Sequence, residues 1–225
     1  VSGSWFKVPA SQNHEAETRT KELFYLATAD STGPGVPGAI MSLLNISSLE
    51  NAIEHYSNPA EILNATREKI IERLKKDGSE EGGKDGMGCS LLAFDFKNMK
   101  LFAAAANNPV WLVRSGFDSA QSPELIEIKP DKMPVGKHDK QHVPFTLSVM
   151  DLQKGDVVYT LTDGFPDQFG GEKGKKFMIK NLRAQIIANA HLPMDEQKQL
   201  LETAFNHWVG NLEQIDDVPV IVIRV

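Results

Sequence analysis

The sequence has one cysteine, no histidine motif, no long apolar run and no excess of positive charge, and each lack removes a class of function. Cys89 cannot close a disulfide within the chain, and no C-x-x-C pair is present to hold zinc. The expected setting is therefore reducing and cytoplasmic. Cys89 opens the apolar run CSLLAF and reads as a core residue. Lys and Arg number 24 against 30 Asp and Glu, a formal charge of −6, the opposite of the clustered basic charge that binds phosphate backbones. No nucleic-acid partner is expected. No segment reaches the roughly 18 apolar residues that a membrane span needs, so this stretch is expected to make no membrane contact. His14, His55, His138, His142, His191 and His207 show no H-E-x-x-H or equivalent spacing and read as surface or core residues rather than zinc ligands.

What is present is enough apolar residue, 41% of a 225-residue chain, to build one sizeable core. A single domain over 1–225 is expected. The chain opens at Val1 without Met and runs at once into VSGSWFKV. The expectation is a C-terminal output domain cut from a longer sensor protein, which leaves room for a membrane tether upstream.

Short β-rich runs recur: LFYLATA from Leu23, CSLLAFD from Cys89, LFAAAA from Leu101, VWLVR from Val110, PFTLSV from Pro144, VVYTLT from Val157 and VPVIVIRV from Val218. Between the first two lie two helical patterns. One begins near Pro37 and spaces Ile40, Leu43, Leu44, Ile46, Leu49, Ile53 and Tyr56 along a predicted face. The other starts with Asn58 as cap, Pro59 in the first turn and Glu61 in a capping-box position, with Ile62, Ile70 and Leu74 on its face. DGSEEGGKDG, from Asp77, is too charged and Gly-rich to pack and reads as a loop. From Cys89 to Thr162 strands succeed one another with no helix between them, which favours antiparallel pairing over a doubly wound sheet. Two helices, Phe177 to Ala190 and Met194 to Trp208, precede the last strand. The predicted fold is α+β: a four-layer α/β/β/α sandwich with two mostly antiparallel sheets.

Three Asp sites stand at predicted strand ends. ATADSTGPGVPGA carries Asp30 after an apolar strand, TLTDGFPDQFGG carries Asp163, and Asp216-Asp217 precede the last strand. Each alone is an ordinary turn acid. Brought together they would repel unless hard cations lay between them, the arrangement of Mg²⁺ or Mn²⁺ sites made of oxygen ligands. Gly33, Gly35 and Gly38 also match G-x-G-x-x-G. A dinucleotide site needs a parallel strand after the helix, and here a second helix follows, so the context argues against it. Lys173, Lys175 and Lys176 form a basic run that reads as a solvated loop, with the steering of a phosphoprotein as the alternative. Asn107-Asn108-Pro109 reads as a turn.

VSGSWF, ADSTGPGVPGAIMS, KDGMGCSLLAFD, ANNPVWLVR, ELIEIKPDKMPVG, LQKGDVVYTLTDGFPDQFGGEKGKKF and DDVPVIVIRV resemble, in this order, the motifs of the SpoIIE-type branch of the bacterial type 2C (PPM) Ser/Thr protein phosphatases. The resemblance covers nearly the whole chain and implies the same four-layer fold. It implies that Asp30 bridges two metals, that the Ser31 carbonyl serves one of them, and that Asp163 with Asp216 or Asp217 holds the other, Asp216 being favoured by its place in the pair. Asp30, Asp163 and Asp216 would then be the catalytic set, with two Mn²⁺ or Mg²⁺ ions activating a water for in-line attack on phosphorus.

Two departures from that family pattern matter. Ser4 stands where an acidic metal ligand is usual, and Pro34 stands between the two glycines of the turn where His or Lys is usual. Glu15 and Glu17, the nearest acids that might replace the missing ligand, read as solvated surface. One of the two metal sites is therefore expected to be weak. The implied activity is hydrolysis of phosphoserine or phosphothreonine on a partner protein, in this branch often an anti-sigma-factor antagonist. The alternative is a weakened pseudophosphatase that keeps the fold to dock a partner.

Overall fold

A computed structural model describes residues 2–7, 23–33, 35–76, 85–114 and 123–225; Pro34, His14, Glu15, Glu17 and most of the Gly-rich loop lie outside the described residues. The first sheet is ordered β1 (Ser2–Lys7), β2 (Phe24–Ser31), β3 (Gly86–Asp95), β4 (Lys100–Ala106) and β8 (Ser148–Asp151), with the two-residue β7 (Val135–Gly136) also on β3. The second is ordered β12 (Val220–Arg224), β9 (Val157–Leu161), β5 (Val110–Arg114) and β6 (Glu124–Ile128). Every pairing of these named strands is antiparallel. A small hairpin, β10 (Phe169–Gly170) and β11 (Lys175–Lys176), stands apart.

The central strands read as unbroken apolar runs because both of their faces are covered. In β3, Cys89, Leu91 and Ala93 join the cluster under α1 (Gly35–His55) and α2 (Pro59–Lys76), while Leu92 and Phe94 join the cluster between the sheets. In β5, Val110 and Leu112 enter that inter-sheet cluster, and Trp111 and Val113 face α4 (Ile179–Asn189) and α5 (Met194–Val209). The four layers expected from the sequence are thus observed. Burial holds the Cys89 thiol up at about 12, so it is an inert core group.

Asn58 caps α2, its Oδ1 accepting the Ala60 N–H at 2.9 Å, and Ile62, Leu63 and Ile70 are fully buried. Two expectations need correction. The run from Pro144 forms a strand only from Ser148; Phe145 leaves the sheet to pack beneath Arg67, whose guanidinium lies 4.7 Å from the ring centroid. The buried face of α1 is Met41, Asn45, Ser48, Leu49, Ala52 and Ile53, whereas Ile40 and Leu43 are 60% and 70% exposed. The helix turns a partly polar face toward the end of β2, so the predicted apolar face holds at Leu49 and Ile53 and fails at Ile40, Leu43, Ile46 and Tyr56.

Candidate metal centre

Three chain segments end at one place, and the sheet registers bring them there. Val220 of β12 pairs with Leu161 of β9 in antiparallel register, so the residues after β9 and those before β12 meet. The Thr162 N–H, donating to the Pro219 carbonyl at 3.4 Å, continues this pairing toward Asp163 and Asp216. On the facing sheet, β2 alternates its side chains; Leu26 belongs to the inter-sheet cluster, and Thr28 and Asp30 share its parity. Asp30, Asp163 and Asp216 each offer a carboxylate oxygen within 4.8 Å of the others. Among the described residues this is the one such group of acidic, His or Cys side chains, and no histidine belongs to it.

Gly164 shows why the second segment reads Asp-Gly. A Cβ there would lie 2.1 Å from the Asp217 carbonyl oxygen and 3.5 Å from the Asp216 Cβ, so the absence of a side chain lets the two loops touch. The Asp217 N–H donates to Asp216 Oδ1 at 2.7 Å. The carboxylate of Asp217 is not in the group of three.

The electrostatics of the cluster are unfavourable without a cation. Packing around the Asp163 carboxyl, and then the negative charges of Asp30, Asp167 and Asp216, push its pKa above the ordinary value. Asp167 ends the single turn α3 (Gly164–Asp167), and its carboxylate is paired with Lys176 Nζ at 2.7 Å. The donor set is all oxygen, drawn from three segments, and holds neither nitrogen nor sulfur. It fits a hard divalent cation of the Mg²⁺ or Mn²⁺ kind.

Ser31 is buried, and its Oγ accepts a hydrogen bond from Asn45 Nδ2 of α1 at 2.9 Å. Ser4 lies in β1 opposite Thr28, and Ser2 opposite Asp30. Lys175 and Lys176 form β11 of the small hairpin. The Asn107-Asn108 turn is held by Ser90 Oγ, which donates to the Asn108 carbonyl at 2.8 Å. Sequence reasoning missed Asn45 and Asp167. The signal for Asn45 was a single amide inside the apolar run IMSLLNIS.

No curated protein matches the chain. Among solved structures, the SiaA PP2C domain of Pseudomonas aeruginosa superposes with a TM-score of 0.79 at 22% identity, covering 100% of this chain and 80% of that one. The RsbU and RsbW domains of a Mycobacterium tuberculosis protein superpose with a TM-score of 0.65 at 18% identity, covering 100% of this chain and 55% of that one. The catalytic domain of the Ser/Thr phosphatase PstP, in complex with two manganese ions, gives 0.55 at 19% identity, covering 99% and 96%. These likenesses establish the PP2C fold. The family model of stage II sporulation protein E matches residues 20–225, and the chain belongs to the SpoIIE family.

Proposed function

We propose that this chain is a Mn²⁺- or Mg²⁺-dependent phosphatase that removes phosphate from Ser or Thr of a partner protein in bacterial signalling. The observation that carries this reading is the convergence of Asp30, Asp163 and Asp216 within 4.8 Å from both sheets of a PP2C fold. Asp30 would reach the cations from the first sheet and Asp163 and Asp216 from the second, with the Ser31 carbonyl beside Asp30 and Asp217 backing Asp216. Cations held there supply the charge that activates a water and offsets charge on phosphoryl oxygens. Gly164 keeps the two loops of the second sheet in contact, so their carboxylates are preorganised. The two manganese ions of the matched PstP structure support this metal class.

In this proposal 1–225 is the single output domain of a longer cytoplasmic sensor protein. The substrate in this proposal is a small phosphorylated regulator of the anti-sigma-factor-antagonist class, the class that the family resemblance implies. Hydrolysis of a small aryl phosphate, measured with and without millimolar Mn²⁺, tests the enzyme reading. Turnover should require the metal and disappear in Asp30→Ala. Activity indifferent to both changes would refute it.

A second reading, a weakened phosphatase kept for docking, rests on a specific feature. Among the described residues no fourth carboxylate joins the three, and β1 carries Ser4 where the resemblance implies an acid. Undetectable turnover at saturating Mn²⁺, with metal binding intact, would favour it.

A further inference from the structure

β12 is the outer strand of its sheet, and nothing among the described residues pairs with its free edge. The Thr162 N–H donates to the Pro219 carbonyl, and the Val225 N–H to the Asp156 carbonyl. In an antiparallel ladder these alternate, so Pro219, Ile221, Ile223 and Val225 bond toward β9. Val220, Val222 and Arg224 therefore turn their backbone N–H and C=O groups outward. Over Val220 to Ile223 the edge is also uncharged. Sheet edges are commonly blunted by charge, proline or a bulge, as β6, at the opposite edge, is by Glu124 and Glu127. β12 presents Val220, Ile221, Val222 and Ile223 in succession, all half-buried.

A cleft of about 570 Å³ runs along the same strand, between Val220 and Val222 on one wall and Leu201 and Phe205 of α5 on the other. It exists because α5 stands off the sheet: of its sixteen residues only Gln197 is buried, held by the Tyr159 hydroxyl at 2.5 Å. On the other face of β12, Ile221, Ile223 and Val225 are only partly covered by the inter-sheet cluster.

We propose that β12 and this cleft form a docking site for an extended strand of a partner protein, with Val- or Leu-sized side chains at alternate positions. The outward row of donors and acceptors demands a backbone that repeats every second residue, and the cleft takes the side chains from one face of it. A compact apolar ligand would fill the cleft and leave that row unpaired. The rim chooses the flanking charge. Lys198 already faces Glu202 at 3.8 Å, and Asp195 also lines the cleft, so the strand carries Lys or Arg where it passes Asp195. The Arg224 guanidinium donates to the Ala190 and Leu192 carbonyls. Phe165 and Val218 line the cleft two residues after Asp163 and Asp216, so an occupant would buttress both loops of the acidic cluster. The site itself does not depend on the phosphatase reading.

The test titrates the chain with short blocked peptides of the pattern Lys-Val-Thr-Val-Thr-Val-Lys, with Leu and Ile variants at the Val positions, and follows backbone amide resonances. Saturable binding should shift Val220, Val222 and Arg224. N-methylation of a peptide bond that faces β12 should weaken it about tenfold, while N-methylation at the alternate, solvent-facing bonds should not. Val222→Pro, which removes an outward N–H and replaces a side chain of the cleft wall, and Leu201→Glu, which charges the cleft, should each lower affinity; the methylated peptides keep the test valid if either variant fails to fold. Three results would overturn the proposal: no saturable binding by any peptide at millimolar concentration, binding insensitive to the position of methylation, or the same amides shifting with protein concentration alone, which would make a second copy the occupant.

Discussion

Asn45 Nδ2 donates to Ser31 Oγ at 2.9 Å in a buried setting, tying the first long helix to the residue that follows Asp30. The contact gives α1 a direct mechanical link to the segment that carries Asp30, and Gly33 and Gly35, between the two, have φ of 94° and 63°. Small shifts of a packed helix are a recognised means of switching a site.

Asn45→Ala should therefore cost about 0.5–1.5 kcal/mol of stability, the usual net worth of one hydrogen bond, as read by denaturant titration. It should also raise the Mn²⁺ concentration needed for half-maximal turnover. Hydrogen exchange across Gly35–His55 should slow on adding metal to the native chain and slow less in the variant. Equal exchange with and without metal would remove α1 from the control of the site.

Asp163 offers a prediction whose sign can be worked out. Its pKa is raised in the folded chain by burial and by neighbouring acids. A carboxyl of this kind destabilises the metal-free fold above its folded pKa, and the penalty is relieved as pH falls through that value toward the unfolded one. Asp163→Asn should thus make the metal-free protein more stable at neutral pH, with the advantage fading on acidification through that window. The same variant should lose the rise in melting temperature that Mn²⁺ gives the native chain. Calorimetry with and without metal at two pH values measures both effects. A destabilised metal-free variant at pH 7 would contradict this account.

The strands, the second helix and the three acids were legible because each obeys a local rule. Asp30, Asp163 and Asp216 follow or precede apolar runs, and strand ends in a sandwich collect at its rim. Their convergence was not legible, since it depends on the register Val220 to Leu161 and on two sheets facing each other. α1 misled for a physical reason: its apolar residues Ile40 and Leu43 stay exposed while Asn45 and Ser48 are buried, because the helix must reach Ser31. Phe145 misled likewise, as its burial under Arg67 looks in sequence like one more strand position.

Gly164 tests the close approach of the two loops. A methyl group at this position would meet the Asp217 carbonyl oxygen at 2.1 Å, a backbone atom that has no flexible way to yield. Gly164→Ala should displace Asp216 and, on the proposed reading, weaken a cation bound through Asp163 and Asp216, with a loss of at least roughly tenfold in turnover for a ligand-geometry change of this kind. Isothermal titration with Mn²⁺ would show the loss as reduced affinity. Unchanged affinity and rate would mean that the contact does not position Asp216.

Ser4 decides how complete the centre is. The described acids that gather are three, and β1 places Ser4 beside the strand that carries Asp30, opposite Thr28. On the proposed reading an acid at this position would serve one cation, and a hydroxyl, a neutral and weak ligand for a hard cation, would hold it poorly, while a cation at Asp163 and Asp216 would keep its ligands. With one of two cations weakly held, an attacking water would lose part of the charge that lowers its pKa and orients it. Turnover of the native chain should consequently be slow and keep rising with Mn²⁺ into the millimolar range. Ser4→Asp should lower the Mn²⁺ concentration for half-maximal activity and raise the rate, and Ser4→Asn, isosteric with it but neutral, should do neither. If Ser4→Asp changes neither the metal dependence nor the rate, then position 4 is not a ligand position, and the second cation must find its oxygen donors elsewhere on the chain.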